Sequence, residues 1–204
     1  MDIFILATFV AIGIQLATSR YQKGRIALLA SHLGNYQIEK LMETLTDSYM
    51  RALGEADGER RAQVWQLLHT TEAALSSQLG RFAAEFSKVA ASAAQVSRLP
   101  VALPYADRLL ANVPQASFDL RQAFAIHARG IASLVDDTGQ TSPQSRAFTM
   151  SAELFLLQHT CHWFCKSRSV ASARLLGRHR TSHAQVLASV TPATRAAYRS
   201  LTGM

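Results

Sequence analysis

The chain has 204 residues with 21 Lys and Arg against 14 Asp and Glu, a formal charge of +7. Apolar residues make up 49%, enough to bury a core, which excludes a disordered acidic or low-complexity chain. Two cysteines exclude a disulfide framework, and 10 Gly with 5 Pro leave long stretches free of breakers, which favours helices over a turn-rich β fold.

The first element carries no charge from residue 3 to residue 19. Its apolar side chains are Ile3, Phe4, Leu6, Phe9, Val10, Ile12, Ile14 and Leu16, followed by Arg20, Tyr21 and Lys23. As a helix this stretch spans about 25 Å, short of a bilayer core of roughly 30 Å but usable where Arg20 and Lys23 snorkel and Tyr21 sits at the headgroups. Three readings compete: an uncleaved signal anchor, a cleaved signal peptide, and a buried helix of a soluble domain. No basic residue precedes the stretch, and Arg20, Lys23 and Arg25 follow it. The missing basic n-region argues against a leader, and the charge bias argues for a single-pass anchor over residues 1–25, with residues 26–204 in the cytoplasm.

From Ile26 apolar residues recur at helical spacing to Ala52, with Gly24 and Gly34–Asn35 as points for a bend. Its polar face holds Glu39, Lys40, Glu43, Asp47 and Arg51; Glu39–Glu43 and Glu43–Asp47 are like-charge pairs one turn apart and mildly unfavourable, whereas Asp47–Arg51 is favourable. A polar turn at residues 54–58 ends it. A second helix is expected over about 59–98, with a seam of Leu75, Leu79, Phe82, Phe86, Val89, Ala93 and Val96 at alternating steps of four and three. Residues 26–53 and 59–97 thus form a helical hairpin inside a larger bundle, and the seam also allows a homo-oligomer. Prolines 100, 104 and 114 punctuate a connection over 98–116, with a short helix expected over 104–111; a packed inter-helix loop is the preferred reading of its apolar residues, with Tyr105 as a candidate interfacial anchor in the alternative.

Ser117 is the expected N-cap of a helix whose stripe is Leu120, Phe124, His127, Ile131 and Leu134, with Gly130 positioned for close helix approach. His127 on that stripe reads as a hydrogen-bonded core residue. The aspartates of the loop over 136–142 lack a calcium-loop pattern, so a solvated turn is expected. Ser142–Pro143 opens a helix expected to run to Leu176. Ser182 or Thr181 caps a short helix to Val190, and Thr191–Pro192 opens the last one. The fold class expected is therefore all-α: one N-terminal transmembrane helix, then a long hairpin within a multi-helix bundle.

Two features bear on function. The last acidic residue is Glu153, and the residues up to it sum to zero, so the whole excess charge lies in the final quarter. Arg174, Arg178, His179, Arg180, His183, Arg195 and Arg199 are the candidates for contact with an anionic partner: an acidic protein face, anionic lipid or nucleic acid; the equal alternative is a basic surface compensated by acids that the fold brings close. Nucleic-acid binding would use the last two helices as a loose helix-turn-helix, reading with Arg195, Tyr198 and Arg199. The second feature is Cys161, His162 and Cys165, one helical turn wide. These three are weak zinc candidates, needing a fourth ligand from His69, His127 or His183, and the buried-cysteine alternative is simpler. No phosphate loop, nucleophile elbow or His-Glu-x-x-His occurs, no cofactor is implied, and nothing positive argues for an enzyme. The function expected is a membrane-anchored helical interaction or scaffold protein, held by lipid through its first helix and presenting a basic C-terminal surface; a nucleic-acid binder and a metal-dependent enzyme are the rivals.

Overall fold

A computed structural model describes residues 2–102, 104, 105, 113–137 and 141–204. They form an all-α bundle of eight α-helices, with one two-stranded ribbon. Helix α1, Asp2–Leu33, is the one helix among the described residues long and apolar enough to cross a membrane. Its outer half stands clear of the bundle. Every residue from Ile3 to Leu16 is exposed, with Ile3 and Phe4 at 82%, so this stretch is not a core helix of its own chain. The inner half is docked. The Arg25 guanidinium lies 4.2 Å from the Phe164 ring centre and donates to the Gln95 carbonyl, Lys166 Nζ donates to Gln22 Oε1 at 2.8 Å, and Leu29 is buried. No break falls at Gly24. The helix ends at Gly34 instead.

Helices α2, Ile38–Gly54, and α3, Gly58–Phe86, make a hairpin, its first arm beginning at Ile38 rather than at residue 26 because residues 26–33 continue α1 and a turn at Gly34 separates the two. Asp57 caps α3 by accepting from Glu59 N at 2.9 Å. Tyr36 donates to Glu85 and Tyr49 to Glu72, at 2.7 and 2.6 Å, which fixes the antiparallel register. Glu72 is buried and lies 3.5 Å from the Arg146 guanidinium, so its charge is partnered.

The expected extension of α3 to residue 98 does not occur. The helix stops at Phe86, and Val89, Ala93 and Val96 leave the seam. Gln95–Ser97 (β1) instead pairs antiparallel with Ser117–Asp119 (β2), Val96 opposite Phe118. This non-local ladder overrides a helical propensity that no Gly or Pro interrupts. It also moves a cap: Asp119, not Ser117, begins α4, Leu120–Val135, by accepting from Arg121 N at 2.9 Å. The short helix expected over 104–111 falls largely outside the described residues.

Helix α5, Pro143–Cys165, ends eleven residues earlier than Leu176, because Ser167 turns the chain and caps α6, Arg168–His179. Ser182 and Gln185 form a capping box on α7, His183–Ser189, and Thr191 caps α8, Pro192–Thr202. Helix α5 divides the interior. On one side α2, α3 and α4 close a core containing Leu45, Leu79, Phe82, Phe86 and Phe124. On the other, α4 and α6 to α8 close a second core around Leu156, Leu175, Val186 and Tyr198.

Gly130 lets α4 meet α8 and α5. A Cβ there would stand 2.2 Å from Thr194 Oγ1 and 2.9 Å from Glu153 Oε2. Gly130→Ala is expected to destabilise the protein by about 1–2 kcal/mol in thermal or urea unfolding, overpacking outweighing the roughly 1 kcal/mol helix-propensity gain. A stabilised variant would show that the crossing relaxes freely.

Candidate functional site

The structure distributes the basic candidates unevenly. Arg174, Arg178, Arg180 and Arg199 are exposed. Arg195 instead closes the C-terminus of α7, donating to the carbonyls of Leu187, Ala188 and Val190 at 3.1, 2.7 and 3.3 Å. The His179 ring stacks on Phe155 at 3.9 Å and its Nε2 meets Gln158 Oε1 at 2.9 Å. His183 turns inward and stacks on His159 at 4.2 Å. Tyr198 is fully buried, its hydroxyl 3.0 Å from Thr160 Oγ1.

Cys161, His162 and Cys165 lie on the side of α5 that faces α2. His127 and His183 are on the other side of α5, where His127 Nε2 meets Thr160 Oγ1 at 2.9 Å as expected of a core histidine. His69 is on the exposed face of α3. Among the described residues no three His, Cys, Asp or Glu side chains are grouped so as to hold a metal ion. Burial pushes the Cys161 thiol up, reinforced by Cys165 and Glu39; burial also raises Cys165, against the opposing pull of Arg25, Lys166 and Arg174. Both thiols therefore stay protonated near neutral pH, which makes them weak nucleophiles. Burial, then Arg174, Arg178 and His179, lowers His162, which keeps the imidazole neutral near pH 7.

What these three residues do is line a groove. It has a volume of about 990 Å³ and is bounded by the inner half of α1, by α2, by α5 and by the end of α6. Its floor is apolar, with Leu29, Ile38, Phe82 and Leu154 buried beneath it. One wall is α2, carrying Glu39, Glu43 and Asp47 with Lys40 among them; the facing wall carries His162, Arg178 and His179. Periodicity does not find this groove, because four helices from two distant parts of the chain build it. The signal that could have found it is the acidic run on α2: three like charges a turn apart are unfavourable within one helix. Among the described residues none of the three forms an ion pair. Compared with known proteins, the chain matches no family model, no curated protein and no solved structure.

Proposed function

We propose that the protein is a single-pass, membrane-anchored helical interaction protein with its bulk on the cytoplasmic side and a basic C-terminal end turned to an anionic partner. The observation that carries this reading is the outer half of α1: fourteen consecutive exposed residues, Ile3 to Leu16, apolar apart from Thr8, Gly13 and Gln15, on a helix whose other half is locked to the bundle. In water such a surface is unfavourable by about 25 cal/mol per Å² of apolar area, whereas a hydrocarbon layer accepts it. Arg20 and Lys23 follow at once, the arrangement that keeps the following domain on the cytoplasmic side. The rings of Tyr21 and Tyr105 lie 5.2 Å apart beside them, and Val101 is exposed nearby, as suits a headgroup layer.

For the anionic partner, Arg174, Arg178, Arg180 and Arg199 are exposed with no acidic residue after Glu153 to offset them. On anionic lipid each adds on the order of 1 kcal/mol. The helix-turn-helix reading has less support, since Tyr198 is in the core and Arg195 is bonded to α7 carbonyls. The metal-enzyme reading has less again, since Cys161, His162 and Cys165 line the groove while His127 and His183, the candidate fourth ligands, pack on the other side of α5.

Two measurements test the proposal. A reporter active only outside the cytoplasm, fused after Met204, should be silent; activity overturns the topology. Full-length protein in nanodiscs should bind anionic vesicles with a salt-dependent affinity that falls at least about tenfold when the four exposed arginines become alanine. Unchanged binding by that variant removes the basic end from the function.

A further inference from the structure

We infer that the groove between α2 and α5–α6 is the docking site for an amphipathic α-helix of a partner protein, with a basic flank against α2 and an acidic flank against α6. Four observations lead there. Above the buried floor the groove still offers apolar surface to water, from exposed Ile26 and Ala30 and half-buried Leu33 and Met42, so an occupant with an apolar face gains by covering it. The walls differ in charge: Glu39, Glu43 and Asp47, with Lys40 among them, on one side, and on the other the Arg178 guanidinium beside the neutral imidazoles of His162 and His179. The acidic side chains recur every four residues, the pitch at which a helix packed alongside presents its own flanking residues. Finally, two lengths agree. The acidic rail from Glu39 to Asp47 extends about 12 Å, and a helix about 10 Å across fills 990 Å³ over about the same distance, roughly two turns.

The open side decides between a helix and a lipid chain. Glu39, Lys40, Glu43, Asp47, Ile26 and Ala30 along the groove are all exposed. A lipid chain lying there would keep one side in water, whereas an amphipathic helix brings its own polar face to cover the floor, the helix-in-groove mode of recognition. A purely anionic amphiphile would also meet three carboxylates. The inference does not depend on what surrounds the outer half of α1, so it stands or falls separately from the topology proposed above.

The test uses the full chain in phosphatidylcholine nanodiscs, with empty nanodiscs as reference, and three labelled helical peptides of about 14 residues. All share a leucine seam; one has a Lys flank and a Glu flank, one has two Lys flanks, and one has two Glu flanks. Fluorescence anisotropy should show the mixed peptide binding at least about tenfold more tightly than either other. Ala30→Trp, at an exposed position on the groove, should abolish that binding. Glu39→Lys, Glu43→Lys and Asp47→Lys together should transfer the preference to the peptide with two Glu flanks. Equal binding of all three peptides, or none by any, would overturn the inference. So would a phospholipid retained by the protein on mass spectrometry that the mixed peptide does not displace and Ala30→Trp expels.

Discussion

Phe124→Ala is expected to destabilise the protein by about 3–5 kcal/mol, a third or more of a typical domain's stability. Phe124 is fully buried on α4, and its ring centre lies 4.9 Å from both Phe82 and Phe86 of α3, edge-on to each. Those two are 5.7 Å apart, so the three rings close a triangle that ties α4 to the hairpin. The contacts reach further. Tyr36, at the entry to α2, meets Phe82 at 5.9 Å, and His32, in the last turn of α1, meets Phe86 at 5.3 Å. Truncation therefore removes a large side chain where four elements converge, along with edge-to-face pairs worth about 0.5–1.5 kcal/mol each beyond their area. Phe148→Ala is the control. Phe148 is 67% exposed, and its loss should change stability by no more than about 0.5 kcal/mol. Urea unfolding of both variants at constant m-value measures the difference; a loss below about 1 kcal/mol for Phe124→Ala would mean that the triangle is not a core junction.

The same triangle marks where sequence reading succeeds. Phe82, Phe86 and Phe124 were recoverable because each continues a stripe of local period, and the stripe holds whether or not its partner is known. Caps at Ser142, Ser182 and Thr191 were legible for the same reason: a short polar side chain satisfies N–H groups two or three residues away. Features decided by distant partners were not. Nothing between Phe86 and Gln95 announces that α3 must end. The reason lies about twenty residues on, where β2 takes the ladder bonds of β1 and Leu120 N reaches the Ala94 carbonyl at 2.9 Å. The break after Cys165 has a local agent, Ser167, but one serine in a helical stretch is ambiguous without the packing that selects its cap. Of the basic candidates, the four exposed arginines and the inward-turned His183 look alike as letters; the difference is which face α6, α7 and α8 bury. The groove is the extreme case, since a cavity belongs to an arrangement of helices rather than to any one.

Acidification from pH 7.5 to 5 is expected to destabilise the protein by several kcal/mol, through histidines buried around Tyr198. His127 and His159 are 0% and 1% exposed, and His183 stacks on His159. His127 Nδ1, His159 Nδ1 and His183 Nε2 are buried without a hydrogen-bond partner among the described residues, so none has an acceptor ready for a second proton. Burial lowers His127 and His159 to about 3 and His183 to about 4; neighbouring His183, His162, His127 and Arg168 add to the effect on His159, and Arg168 adds to that on His183. In the unfolded chain each titrates near 6.5. The unfolded state thus binds more protons between these values, and stability falls with pH across that window. Each such group withdraws about 2 kcal/mol by pH 5, about 4–6 kcal/mol for the three together. Glu153 acts in the opposite sense. Its carboxyl is raised by burial, more than the hydrogen bonds from Thr194 and Thr191 lower it, so the folded state binds its proton more readily and recovers part of the loss. Three lowered imidazoles outweigh one raised carboxyl, and the net slope keeps its sign. His127→Gln, which retains a polar group beside Thr160, should be less stable than the parent at pH 7.5 yet lose about a third less between pH 7.5 and 5. Urea midpoints at half-unit pH steps measure both quantities. A parent whose midpoint stays flat over this range, or a His127→Gln variant whose slope equals the parent's, would show that these imidazoles gain their protons without opening the second core.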